Sequence, residues 1–228
     1  QVIENRVNQA DKYSFAIKDL SLKLGLSKMN LTIEGFDISH HGGQHAVASA
    51  VRFSSHGPEK KNYRLFNIPK ELSGNDIGSM RHVLERRINK RGINPLPDII
   101  LIDGGKLQLE VALSTFSVLA KKSPMVLSLV KGSKRVRSTE TILSKNGIIE
   151  MSKDNPGFLL LQQIRDESHR FAITSNRKKK NKSIKKSSLD NIKGLGPQKR
   201  KACARRSFEI SLIKVSTLSK VIFLLASG

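Results

Sequence analysis

Asp98-Ile99-Ile100-Leu101-Ile102-Asp103-Gly104-Gly105 is the stretch on which the fold turns. A continuous apolar run this short, bounded by acidic residues, suits a strand covered on both faces of a sheet. Gly104-Gly105 breaks it, Leu107 to Ala120 follows with helical spacing, and Met125 to Val130 repeats the strand pattern. Strands alternating with helices are the mark of an α/β sheet.

Upstream, Val2 to about Lys28 places apolar positions at helical spacing, with Gly25 as the stop. Three strands are expected next, at Leu31 to Asp37, His45 to Phe53 and Asn62 to Ile68, with Ser55-His56-Gly57-Pro58 as a turn between the last two. Short links between consecutive strands argue for an antiparallel meander. After Ser73-Gly74-Asn75-Asp76, capping residues give way to Met80, Val83, Leu84 and Ile88 on one helical face. Downstream, Asn146-Gly147 predicts a hairpin turn, and Pro156 opens a helix reaching His169 and Phe171. A three-stranded meander followed by two strands alternating with helices is the order of an RNase H-like fold, a mixed sheet flanked by helices. The spacing predicts a lead-in helix over 1–28, that domain over 29–174, an extended basic linker over 175–187 and a small all-α helix-hairpin-helix module over 188–228.

The charge names the partner class. Among 228 residues, 41 Lys+Arg against 19 Asp+Glu leave a formal charge of +22, a surplus that costs self-repulsion unless a polyanion neutralises it. Nucleic acid is the first expectation. No Trp and two Tyr disfavour base stacking as the main binding mode, so phosphate contacts must carry affinity. No apolar run approaches the roughly 18 residues a bilayer span needs, so no membrane partner is expected. A lone cysteine, Cys203, fits a reducing, cytoplasmic setting, and a chain that opens on Gln1 reads as an excised region without a secretory signal.

Three distant stretches each close on a residue able to hold a metal: Phe36-Asp37-Ile38-Ser39-His40, Leu101-Ile102-Asp103-Gly104-Gly105 and Arg165-Asp166-Glu167-Ser168-His169. In the expected sheet, Asp37 ends the first strand and Asp103 the fourth, on neighbouring strands, where ligands gather in open α/β sheets. Two carboxylates there suit Mg²⁺ or Mn²⁺, hard cations that keep positions for water and substrate phosphate. His169 is a third ligand or a proton carrier at the leaving oxygen. Each has an ordinary alternative: a turn or cap for Asp37, a plain turn for Asp103, a packed helical histidine for His169. Asp166 and Glu167 face elsewhere and are expected to pair with Arg165 and Arg170. Asp76 is either the N-cap of its helix or a carboxylate that orients a metal-bound water or the imidazole. Lys106 is either a phosphate contact or an exposed helix-start lysine. His40, His41 and His45 lack zinc spacing and read as a polar loop beside the site.

In the tail, Lys193-Gly194-Leu195-Gly196 lies between short helical stretches. A Gly-x-Gly turn lets backbone N–H groups approach a phosphate, and the following helix start adds its dipole, with Lys199 and Arg200 beside it. This is a helix-hairpin-helix signature for DNA.

Taken in order from about Leu24 to Ser216, these motifs resemble the C-terminal half of the UvrC family, together with Val130-Lys131-Gly132 and Leu161 to Ile173. The resemblance implies an RNase H-like endonuclease that cuts DNA 5′ to a lesion during nucleotide-excision repair. It implies Asp37, Asp103 and His169 as the catalytic triad, with Asp76 in support. Damaged duplex DNA and the UvrB–DNA complex are its implied partners, and no small-molecule cofactor is expected. The family's N-terminal nuclease and UvrB-docking segment fall outside this sequence, Leu107 replaces a small glycine, and a second hairpin is not recognisable past Phe208-Glu209. A non-catalytic DNA-binding remnant and a structure-selective nuclease on the same fold are the alternatives.

Overall fold

The computed structural model describes residues 2–39, 47–89, 95–120, 123–131 and 140–190. The chain divides into two compact units, Gln1–Thr174 and Ser175–Gly228. In the first, α1 (Val2–Lys23) leads into β1 (Ile33–Ser39), β2 (Val47–Ser54), the short β3 (Gly57–Pro58) and β4 (Arg64–Asn67). Then come α2 (Asp76–Asn89), β5 (Ile99–Asp103), α3 (Lys106–Leu119), β6 (Met125–Lys131), the hairpin β7 (Glu140–Ser144) and β8 (Gly147–Ile149), and α4 (Pro156–Asp190).

Among the described residues, eight strands form one mixed sheet in the order β3-β2-β1-β5-β6-β7-β8, with β4 also paired to β2. β1 runs antiparallel to β2 and parallel to β5, and β5 runs parallel to β6. This is the expected meander joined to strands that alternate with helices. Gly57-Pro58 is not merely a turn: it pairs back onto Phe53 and Ser54. The hairpin connection is Lys145-Asn146, one residue earlier than expected, with Ser144 opposite Gly147.

Strand periodicity sorts the core onto two faces. Phe36, Ala48, Ala50, Ile100, Ile102 and Val126 pack with Met80, Val83, Leu84 and Ile88 of α2 and with Leu109, Ala112 and Phe116 of α3. On the other face Ile33, Val51, Phe53, Ile99, Leu101, Leu127 and Leu129 pack with Ile17 and Leu20 of α1 and with Leu161 and Ile164 of α4. Helices therefore cover both sides, which is why β2 is buried along its whole length and β5 at its first four residues.

The helix ends follow from local chemistry. Past α1, Gly25 adopts φ +65° while Leu26 N–H reaches back to Ser21 O at 2.9 Å, a left-handed glycine cap that closes the helix. Asn75, not Asp76, caps α2, because its Oδ1 accepts from Gly78 N–H at 2.8 Å. Asn155 does the same for α4 through Phe158 N–H at 2.9 Å, with Pro156 in the first helical position. The basic stretch expected as an extended linker is helical, because α4 continues to Asp190. Lysine and arginine are good helix formers, and no proline or glycine interrupts the chain between Gly157 and Asp190.

One buried ionic cluster ties the frame. Glu34 of β1 accepts from Arg52 of β2 at 2.8 Å and from Arg87 of α2 at 2.8 Å through both of its oxygens, and both guanidinium groups also donate to Pro95 O at 2.9 Å. Glu59, partly exposed at the edge of the cluster, lies 3.3 Å from Arg52 Nε, so two acids face two guanidinium groups. Such a cluster costs desolvation on forming, and breaking it leaves an unbalanced buried charge.

The entry to the central strands is pinned by Asp98. Its carboxylate accepts from Lys28 Nζ at 2.7 and 2.8 Å and from Thr32 N–H at 2.8 Å. Burial alone would raise this carboxyl, but the bonds from Lys28 and Thr32 outweigh it and hold Asp98 below its ordinary value of 3.8. A carboxyl depressed on folding stabilises the fold above its unfolded value, and that stabilisation is lost as pH falls through the folded value. Asp98→Asn is therefore expected to lower Tm at pH 7 by about 2–4 °C, with the gap to wild type closing as the pH is taken below 3.8 in a calorimetric series.

α4 sits close on β1 because of Gly35. A Cβ there would lie 2.5 Å from Ile164 Cγ2, inside any tolerable contact. Gly35→Ala is expected to cost roughly 1–3 kcal/mol by overpacking. Truncating Ile164 to Ala should cost less in the Gly35→Ala background than in wild type, as measured by urea unfolding of the four chains of the cycle.

Candidate active site

Alternation along the strands decides which way the acids point. Asp37 lies on the same face of β1 as Ile33 and Gly35, and Asp103 on the same face of β5 as Ile99 and Leu101, so both belong to the α1/α4 side. The parallel register pairs Phe36 with Ile102, which brings the next residues, Asp37 and Asp103, onto adjacent strands; Asp103 ends β5, whereas β1, expected to end at Asp37, runs on to Ser39. Asp37 is buried and Asp103 half-buried.

His169 comes from α4. Its Nδ1 lies 3.3 Å from Asp37 Oδ2, with the Asp37 side chain 7% exposed and the His169 side chain 47% exposed. The imidazole thus reaches from the buried carboxylate toward solvent. A neutral ring with its proton on the Nδ1 facing Asp37 carries its lone pair on Nε2. Asp37 and His169 are brought together and Asp103 stands on the neighbouring strand. Among the described residues no group of three His, Cys, Asp or Glu side chains converges tightly enough to form a ready-made metal cage.

The helix carrying His169 is gripped along its length. Gly157 N–H donates to Asp19 Oδ2 at 3.2 Å, and Gln163 Nε2 donates to Tyr13 OH at 2.7 Å. From β7, Glu140 accepts from Gln162 at 2.8 Å and pairs with Arg165. From β2, the buried Ser49 hydroxyl donates to Ser168 O at 2.7 Å, one residue before His169. Tyr63 donates to Glu167 Oε1 at 3.1 Å and stacks edge-on against Phe171 at 5.1 Å. Burial, and then the Glu167 charge and hydrogen bond, push the Tyr63 phenol well above its ordinary range. Glu167 is held low by its bond from Arg170, against burial and with help from Tyr63. As expected, Glu167 pairs with Arg170, at helical i,i+3 spacing, and Asp166 with its chain neighbour Arg165.

Two further expected residues stand at helix starts. Asp76 is exposed in the first turn of α2, which packs on the sheet face opposite α4; its ordinary alternative as N-cap is overturned by Asn75. Lys106 begins α3, is 83% exposed and faces Glu110 at 3.9 Å. His40, His41 and His45 lie outside the described residues, as do Lys193, Gly194, Leu195, Gly196, Lys199 and Arg200 of the expected helix-hairpin-helix.

Sequence reading missed the small residues that build the seat. Ser128 of β6, fully buried, donates to Gly104 O at 2.5 Å and lies 3.4 Å from Ile102 O, so it holds the backbone on both sides of Asp103. Gly35, Ser49 and Ser128 each stand between apolar or buried neighbours inside a strand. A glycine or serine there signals a close approach or a required hydrogen bond.

The two-sided sheet and its carboxylates on adjacent strands define the class: a mixed α/β domain of RNase H-like build. The sequence profile of the UvrC RNAse H endonuclease domain matches residues 21–173. UvrABC system protein C of Idiomarina loihiensis is 36% identical over 222 residues, covering 96% of this chain and 36% of the relative. The protein of that name from Methylococcus capsulatus is 39% identical over 212 residues, covering 90% of this chain and 35% of the relative. The chain belongs to the UvrC family and carries its RNAse H endonuclease domain. It spans about a third of the length of these curated relatives. Among solved structures, human ENDOV is 13% identical with a TM-score of 0.37, covering 77% of this chain and 100% of that one. Ciona intestinalis Endonuclease V in complex with DNA is 16% identical with a TM-score of 0.34, covering 60% of each chain. No helix among the described residues is long and apolar enough to cross a membrane.

Ser128→Ala is expected to destabilise the domain by about 1–3 kcal/mol, because Gly104 O loses a buried donor. Urea unfolding reads the loss, and a value near zero would show that this bond does not hold the Asp103 turn.

Proposed function

We propose that this chain hydrolyses DNA phosphodiesters in nucleotide-excision repair, cutting 5′ to a lesion with a divalent metal. The observation that carries the reading is the placement of Asp37 and Asp103 on adjacent parallel strands, with His169 against Asp37. The donor set fits Mg²⁺ or Mn²⁺. Such ions are often held by one or two carboxylates, with water and substrate phosphate filling the shell, so a cage of three side chains is not required. Asp37 and Asp103 would hold the ion with His169 completing the site, and its chemistry there is to polarise the scissile phosphate and acidify water.

The protein's own groups do the rest. Asp37, buried, faces the imidazole at Nδ1, which leaves Nε2 of the half-exposed ring either to complete the cation's shell or to hold or move a proton at the leaving oxygen. Asp76 supports from the start of α2. The formal charge of +22 favours a polyanion partner, with Lys106 at the start of α3 as one phosphate contact. Lys193, Gly194, Leu195, Gly196, Lys199 and Arg200 act as a backbone-phosphate grip in the tail. The partners are damaged duplex DNA and the UvrB–DNA complex, in the cytoplasm.

The test is an incision assay with the purified chain, UvrB and a lesion-bearing duplex, with and without Mg²⁺ or Mn²⁺. Metal-dependent nicking 5′ to the lesion is expected. Asp103→Asn should reduce nicking by about 100-fold or more while DNA binding by gel shift stays within about twofold, since catalytic and phosphate-contacting groups are separate. Equal nicking by the variant would remove Asp103 from the mechanism.

A further inference from the structure

We propose that Ser49 is a positioning residue for His169: its buried hydroxyl fixes the turn of α4 that sets the imidazole against Asp37. The proposal rests on the reading of Asp37 and His169 as site residues and adds the group that brings them into register.

Ser49 is the Cα partner of Asp37 across the β1–β2 pair, so the two side chains stand next to each other on the α4 side of the sheet. One holds the backbone of residue 168 and the other faces the ring of residue 169. The Ser49 hydroxyl donates to Ser168 O at 2.7 Å, spanning 119 residues of sequence, and Ser49 and Ser168 are both fully buried. An α-helical carbonyl already has an acceptor role toward the N–H four residues on. The serine bond is therefore an addition from outside the helix. Ser168 keeps out of the way, turning its own hydroxyl back to Arg165 O at 2.7 Å. One turn earlier, Ile164 occupies the space left by the missing Cβ of Gly35. Gly35 thus sets how near the helix comes, and Ser49 sets its rotation and height at the residue that matters. The bond ends on α4 one residue before His169, whose ring faces Asp37.

The experiment records the ring ¹⁵N and ¹H signals of His169 in the full chain, assigned with His169→Ala, for wild type and Ser49→Ala. It also measures single-turnover nicking and DNA affinity. In Ser49→Ala the His169 ring signals are expected to move, the nicking rate to fall by about 10- to 100-fold and DNA affinity to stay unchanged, the pattern of a misplaced catalytic group. Ring signals that stay where they are in wild type would overturn the proposal. If Ser49→Ala does not fold, Ser49→Cys, which keeps the volume with a weak donor, is read in the same way. A wild-type chain that does not nick contradicts the nuclease reading alone, and the ring signals still decide the role of Ser49.

Discussion

The close seating of α4 on β1 and β2 is the constraint on which the rest of this structure depends. Two contacts make it: Ile164 against the bare backbone of Gly35, and Ser168 O on the Ser49 hydroxyl. The aspartates are fixed by the sheet, whose register is set by hydrogen bonds and alternation and cannot slip without turning Asp37 out of the α4 side. The histidine has no such guarantee. It arrives on a helix from the other end of the domain sequence, and its distance from Asp37 is whatever the packing of that helix makes it. Small side chains in the strands allow a short distance, and the grips from Tyr13, Asp19, Tyr63 and Glu140 keep the helix from rolling.

The two faces of the sheet divide the work. On the α2/α3 side, the Glu34 cluster with Arg52 and Arg87 joins β1, β2, α2 and the approach to β5 through charge-assisted bonds. On the α1/α4 side, three residues further along β1, Asp37 turns its carboxylate toward the site. The strand thus carries one carboxylate paired with guanidinium groups and another that faces an imidazole. Their separate environments follow from residue parity alone.

Much of this was legible in the sequence, for physical reasons. The apolar run from Ile99 to Ile102 could only be a doubly covered strand, and the Asp-Gly-Gly after it fixed where the acid emerges. The period of Met80, Val83, Leu84 and Ile88 identified α2 and its buried face, and Gly25 marked the end of α1. The membership of the acids on one side of the sheet was equally readable, since strand parity is a property of the letters. What escaped was tertiary. Nothing local in Val47 to Ser54 says that Ser49 bonds a helix 119 residues away, or that Glu34 faces two arginines. The helical course of residues 175–190 also escaped, because a basic run reads as solvated linker unless the helix before it is known to continue. Asp76 gave a misleading cap signal because Asn75, just before it, is an equally good capping residue.

The central claim is that Asp37 of β1 and Asp103 of β5 form a site for a divalent cation, with His169 beside it. Crystals of the chain soaked in Mn²⁺ test this directly through the anomalous signal of the metal. An anomalous peak is expected within coordination distance of both the Asp37 and Asp103 carboxylates, on the α4 side of the sheet. A fully soaked crystal with Mn²⁺ bound elsewhere and none between those two side chains would contradict it.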